Sequence, residues 1–228
     1  MISLENIAIG YKEVLFSAEN IELSKGKVYA LVGRNGVGKS TFLKTLSGNL
    51  VPLKGQIKVS GQNLVNLNNS EKSKLIAVVE SKFDGISFLS VKDYLGLGRS
   101  PYTDIFGRLE NSDLEKIQEV AEVLKIKHLL EKDTVEISDG ERQLVMIARA
   151  LVQDTDLILL DEPSAFLDFI NRELLLKSLV EIAEKYDKCM ILSSHDIDAC
   201  SRFSLPMLFI HNKQLIYSEK FDLERVKS

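Results

Sequence analysis

Four stretches of the chain are apolar without a break: "KVYALVG" at 27–33, "KLIAVVE" at 74–80, "DLILLDEP" at 156–163 and "CMILSSHD" at 189–196. "DLILLDEP" lacks the polar alternation of a half-exposed strand and reads as buried on both faces, as parallel strands are; "KLIAVVE" and "CMILSSHD" read as buried strands and "KVYALVG" as a strand. Stretches of helical period lie between them. "KSTFLKTLSG" predicts a short helix closed by Gly48. Leu114, Ile117, Val120, Ala121 and Leu124 share one helix face, and Ser112 with Glu115 has the spacing of a capping box ahead of it. Leu144, Ile147, Ala148 and Leu151 define a helix over about 138–151, and Leu175, Leu179 and Ile182 another over 170–186. "NIAIGY" and "ENIELS" read as further strands, and "GQIKVSGQNL" as a short strand between turn glycines. "VKDYLGLG" reads as helix, "GRSPYTDIFGRL" as loop, and "LFIHNKQLIY" as a hairpin turning at His211-Asn212-Lys213. Strands alternating with helices predict an α/β sheet, interrupted by a helical block over roughly 85–155.

Composition narrows the function. The 228 residues fit one large domain or two small lobes. A net charge of -4 offers no basic footprint for nucleic acid. Cys189 and Cys200 form no CxxC pair and read as free thiols in a reducing cytosol. The start "MISLENIAIGY" does not resemble a signal peptide. No apolar run approaches the ~20 residues of a membrane span, so a membrane role would come through a partner.

The chemistry begins at "GRNGVGKS", residues 33–40, which fits G-x-x-x-x-G-K-[ST] between an apolar strand and a helix. Gly33, Gly36 and Gly38 let backbone N–H groups wrap phosphate oxygens, and the helix N-terminus adds positive potential. Lys39 is expected to reach the β and γ phosphates of ATP, and the Ser40 hydroxyl to bind Mg2+. Asp161, at a strand end, suits Mg2+ held through water, and Glu162 suits orientation or deprotonation of an attacking water. His195 ends another buried strand, where an α/β sheet places ligand contacts, and a γ-phosphate contact is expected. His128 and His211 lack such a setting. "SDGE" at 138–141 has capping-box spacing, with Asp139 in the first helical turn, where the macrodipole favours an acid.

Taken together and in order, these segments resemble the ATP-binding cassette (ABC) ATPases over essentially the whole chain. "GRNGVGKST", with Asn35 and Thr41, resembles Walker A. "SDGERQ" resembles the signature LSGGQ or LSGGE, "LILLDEP" Walker B with its catalytic glutamate, "SAFLD" the D-loop with Asp168, and "SSHD" the switch histidine. Tyr11 occupies the place of the aromatic that stacks on adenine. The resemblance implies a RecA-like P-loop core of mostly parallel strands at about 1–84 and 156–228. It also implies an N-terminal antiparallel β subdomain and an inserted helical lobe at about 85–155, all one ATPase domain. It implies two copies joined head to tail, each ATP lying between one P-loop and the partner's signature helix. Ser138, Gly140 and Glu141 would then meet the nucleotide in trans. Two residues depart from the family pattern. Asp139 replaces a glycine. Glu80 replaces the Q-loop glutamine that contacts Mg2+ and water and whose loop touches the membrane subunit.

Residues 90–109 are similar to a segment of importer ATPases for iron–siderophore, haem and cobalamin complexes, through Leu97, Gly98, Arg99, Pro101, Phe106, Gly107 and Arg108. The expectation is an ATPase subunit powering metal-chelate import. It would sit on the cytoplasmic face of the bacterial inner membrane through integral-membrane permease subunits, with a substrate-binding protein as indirect partner. The alternatives are a soluble ABC ATPase outside transport and a hydrolysis-poor, nucleotide-dependent regulator.

Overall fold

The computed structural model describes residues 1–165 and 167–219. In chain order the strands are β1 (Ile2–Gly10), β2 (Val14–Ala18), β3 (Ile21–Leu23), β4 (Lys27–Val32), β5 (Lys54–Val59), β6 (Gln62–Asn63), β7 (Ile76–Val79), β8 (Leu157–Leu160), β9 (Cys189–Ser194), β10 (Met207–His211) and β11 (Gln214–Ser218). The helices are α1 (Lys39–Leu46), α2 (Asn69–Leu75), α3 (Val91–Gly96), α4 (Asn111–Val123), α5 (Asp139–Val152), α6 (Phe169–Lys185) and α7 (Ile197–Arg202). Among the described residues the strands form one mixed sheet in the order β6-β5-β1-β2-β11-β10-β4-β9-β8-β7, with β3 on β1.

The parallel half runs β10-β4-β9-β8-β7. Its strands need no polar alternation because both faces are covered. Val28, Ala30, Val32, Ile158, Leu160, Met190 and Leu192 join the core shared with α3 to α6. Their neighbours Tyr29, Leu31, Leu157, Leu159, Cys189 and Ile191 join the opposite core, against α1 and the antiparallel strands. The helical block therefore packs onto the sheet through a continuous core. Cys189 and Cys200 are free and buried.

Several boundaries differ from the sequence reading. β2 and α2 were absent from it. Lys74 and Leu75 close α2, whose capping box joins Asn68 and Glu71, so the strand begins only at Ile76. The cap of α4 is not Ser112 with Glu115: Glu110 is the N-cap and Asp113 the third helical residue. A charged box satisfied by Arg99 won over the local S-x-x-E pattern. The hairpin turn is the two residues Asn212 and Lys213, both at positive φ, with His211 still paired to Gln214. This is the two-residue geometry that matches strand twist. Gly48, at φ 74, follows the end of α1 as expected.

Candidate nucleotide site

Strand register assembles the first half of the site. β4 aligns with β9 so that Val32 lies opposite Ser194, and Leu160 of β8 lies opposite Leu192. The residues that follow are Gly33, His195 and Asp161, so the three strand ends deliver the P-loop, the histidine and the acidic pair to one edge. Gly38 is the N-cap of α1 at φ 115. A Cβ there would fall 2.9 Å from the Phe16 ring, so both backbone and space require glycine. Asn35, Gly36 and Ser40 are exposed along the loop and the first turn of α1, and Thr41 is half-buried.

Lys39 is 6% exposed. Its Nζ donates to Gly33 O at 2.7 Å and Arg34 O at 3.3 Å and lies 3.4 Å from His195 Nδ1. Burial pushes its pKa below the ordinary value, while the Glu162 and Asp161 carboxylates oppose that shift. His195 Nε2 lies 2.6 Å from Glu162 Oε1. Lysine, histidine and glutamate thus form one chain of contacts beside the P-loop.

Ser193 is a residue the sequence reading passed over. Fully buried in β9, its hydroxyl donates to Asp161 Oδ1 at 2.7 Å and accepts the Glu162 N–H at 2.8 Å. Glu162 sits at φ 48, a left-handed conformation costly for a side chain with a Cβ. The Ser193 bond helps hold it there, directing the two consecutive carboxylates as a unit. Its signal was a hydroxyl inside an otherwise apolar buried strand.

Ser138, Gly140, Glu141 and Asp168 lie apart from this cluster. They line a groove of about 870 Å3 between the start of α5 and α6 that includes no P-loop residue. Ser138 caps α5. It accepts from Glu141 N at 3.3 Å, while Glu141 Oε2 accepts from the Ser138 backbone N–H at 2.8 Å and its hydroxyl at 2.7 Å. These bonds, the backbone one first, hold the Glu141 carboxyl below its ordinary range. Asp168 caps α6, accepting from Asn171 N at 2.8 Å. Phe166, within "SAFLD", lies outside the described residues. Asp139 points to solvent and pairs with Arg142 at 3.0 Å.

Tyr11 is 60% exposed beside Gly10, where a Cβ would fall 1.9 Å from Glu13 O; the tight turn leaves the ring standing free. Glu80 is exposed directly after β7. Two arginines of α5 grip its flanks: Arg149 donates to Val78 O at 2.8 Å and Arg142 to Asp84 O at 3.1 Å. His128 lies 3.9 Å from Glu141 Oε1 at the surface.

Arg99, in the importer-like segment, serves structure. It pairs with Asp113 at 2.7 Å, donates to Val152 O at 2.9 Å, and lies 4.2 Å over the Tyr102 ring. Val91 and Leu95 of this segment are buried in the core, whereas Leu97, Ile105 and Phe106 remain outside, Ile105 at 94% exposed. Among the described residues no helix is long and apolar enough to cross a membrane.

Comparisons with known proteins agree with this geometry. A family model described as ABC transporter matches residues 16–165. An uncharacterized ABC transporter ATP-binding protein, MJ0873 of Methanocaldococcus jannaschii, is 37% identical over 95% of this chain and 75% of its own. The iron(3+)-hydroxamate import ATP-binding protein FhuC of Bacillus subtilis is 32% identical over 94% and 80%. Among solved structures, an inward-facing ABC transporter of metal-chelate type superimposes with a TM-score of 0.82 at 29% identity, covering 95% of this chain and 82% of that one. A nucleotide-free ATP-binding cassette superimposes with a TM-score of 0.84 at 22% identity, over 100% and 94%. With its glycine-loop core, acidic strand end and capped helix α5, the chain belongs to the ABC transporter family of ATP-binding subunits, which are ATPases coupled to transport.

Proposed function

We propose that this chain is the ATP-hydrolysing subunit of an importer for metal chelates of the iron–siderophore, haem or cobalamin type. The observation that carries the reading is its similarity, over more than nine-tenths of its length, to ATP-binding proteins named for iron(3+)-hydroxamate import and achromobactin transport. Two copies would join head to tail on the cytoplasmic face of the bacterial inner membrane, beneath permease subunits served by a substrate-binding protein. Exposed apolar side chains in the loops after Glu80 and around Pro101, Phe88 and Ile105 above all, support a permease seat there. Import-system names among the relatives disfavour the soluble ATPase and the regulator.

ATP would displace the Gly33 and Arg34 carbonyls from Lys39, whose ammonium then meets the β and γ phosphates, while Tyr11 stacks on adenine. Gly33, Asn35, Gly36, Gly38 and Thr41 would line the phosphate path. The oxygen donors Ser40, Asp161 and Glu80 suit Mg2+, which would neutralise charge on the β and γ oxygens. The Glu162 carboxylate would accept a proton from water attacking the γ phosphorus, the phosphorus–oxygen bond to ADP breaking as the new one forms. His195 would orient Glu162 and meet the γ-phosphate. Ser138 and the Gly140 N–H would close on it from the partner copy, with Glu141 and Asp168 beside them.

Glu162→Gln tests this assignment. It keeps the phosphate and metal contacts but removes the proton acceptor. Turnover should fall at least about a hundredfold, and a dimer should appear in size-exclusion chromatography with Mg-ATP. A mutant that stays monomeric with wild-type turnover would refute the assignment.

A further inference from the structure

Asp139 brings a negative charge to a helix start that the proposed reading aims at a triphosphate. Its carboxylate is 78% exposed, while its partner Arg142 is only 18% exposed. The Arg142 guanidinium is held on its other side by Asp84 O at 3.1 Å. It lines a small recess with Ser81, Phe83, Gln143 and Leu167. The anchored partner is therefore the arginine, and the exposed one is the acid. The pair spans one helical turn, i to i+3, which draws Asp139 back along the helix toward its C-terminus. Asp139 lines the same groove as Ser138 and Gly140, so the direction its carboxylate takes decides what charge that helix start presents.

We propose that Arg142 is a positioning residue for the trans half of the ATP site. It keeps Asp139 turned away from the incoming phosphates and cancels its charge. Through Asp84 it also ties the signature helix to the loop that carries Glu80. The inference rests on the trans assignment of Ser138. It predicts that the cost of losing Arg142 depends on Asp139 being acidic. A residue acting through Asp84 alone has no such dependence.

The experiment compares wild type, Asp139→Gly, Arg142→Ala, Arg142→Lys and the double variant Asp139→Gly/Arg142→Ala. ATP-dependent dimer formation in the Glu162→Gln background, ATP affinity of the monomer, and KM and kcat of the hydrolysing proteins are read together, with thermal melts as folding control. Arg142→Ala should raise the ATP concentration needed for half-dimer, and KM, about fivefold, the scale of an unpaired charge near a phosphate in high dielectric. Monomer affinity should hold, and kcat should change less than KM. Arg142→Lys should retain most of the function, and the double variant should return to within about twofold of Asp139→Gly.

Equal damage in Arg142→Ala and in the double variant would overturn the proposal, leaving Arg142 a tether to Asp84. No damage in Arg142→Ala would overturn it as well. If the Glu162→Gln protein forms no dimer, the proposed function fails, yet the KM pattern across the five proteins still decides the coupling. A Ser138→Ala variant that weakens monomer binding as much as dimer formation would refute the trans reading separately.

Discussion

Glu80, exposed directly after β7, is a carboxylate at the position that resembles the family's Q-loop glutamine. In the proposed Mg2+ shell a hard divalent cation would accept that exchange, since carboxylate is the stronger oxygen ligand, but the charge would also repel the γ-phosphate. Glu80→Gln should therefore raise the free Mg2+ needed for half-maximal hydrolysis roughly two- to fivefold and leave the melting temperature unchanged. Turnover against free Mg2+, with and without reconstituted permease, measures it, and superimposable curves would put Glu80 on a solvated edge. The motif residues were legible because phosphate chemistry needs them at fixed spacing. Ser193 was not, since its role depends on β9 lying beside β8, which no local pattern encodes.

At the scale of elements, the helical lobe hangs on Arg99. One guanidinium joins the turn after α3, the buried carboxylate at the start of α4 and the last carbonyl of α5. Burial would raise the Asp113 pKa, yet the Glu110 N–H and Arg99 hold it below its ordinary value. With a lowered folded-state pKa, the contribution is complete above the ordinary value of 3.8 and is lost as pH falls through the lowered one. Arg99→Ala leaves the Asp113 carboxylate, 5% exposed, with the Glu110 N–H but no cation, and should cost roughly 2–4 kcal/mol at neutral pH, with the difference from wild type shrinking in acid. Urea unfolding at several pH values checks it, and Arg99→Lys should recover only part, lacking the planar fork. The helix faces of α4 and α5 were readable from period. The cap of α4 was not, because Asp113 is drawn into its box partly by an arginine 14 residues away.

For the whole molecule, the groove at the start of α5 includes no P-loop residue, so under the proposed head-to-tail reading a complete site would take two copies. Lys39→Ala and Ser138→Ala should each lose most hydrolysis. In a head-to-tail dimer, a mixed pair keeps one site with an intact P-loop facing an intact signature. An equal mixture should therefore recover roughly a quarter of wild-type turnover, half the dimers being mixed and each keeping one of two sites. Mixed-variant ATPase assays decide this, and an absence of recovery would contradict the head-to-tail arrangement. Ser138→Ala also removes a helix cap worth about 0.5–2 kcal/mol, so melts accompany the assay.

The sequence by itself determined the elements whose cause is local or periodic: the buried strands, the helix faces, the glycine loop, and the order of motifs that marks the family. It also marked Asp139 and Glu80 as departures. Only the tertiary structure decided what surrounds them. The 3.0 Å pairing of Asp139 with Arg142 is a helical neighbour contact, but Arg142 is fixed in place by Asp84, 58 residues earlier. The alignment of β4, β9 and β8 that brings Lys39, Ser193, Glu162 and His195 together is likewise set by strand order. Such contacts follow from how the sheet closes on its two cores, a balance of burial over the whole chain that no window of residues contains.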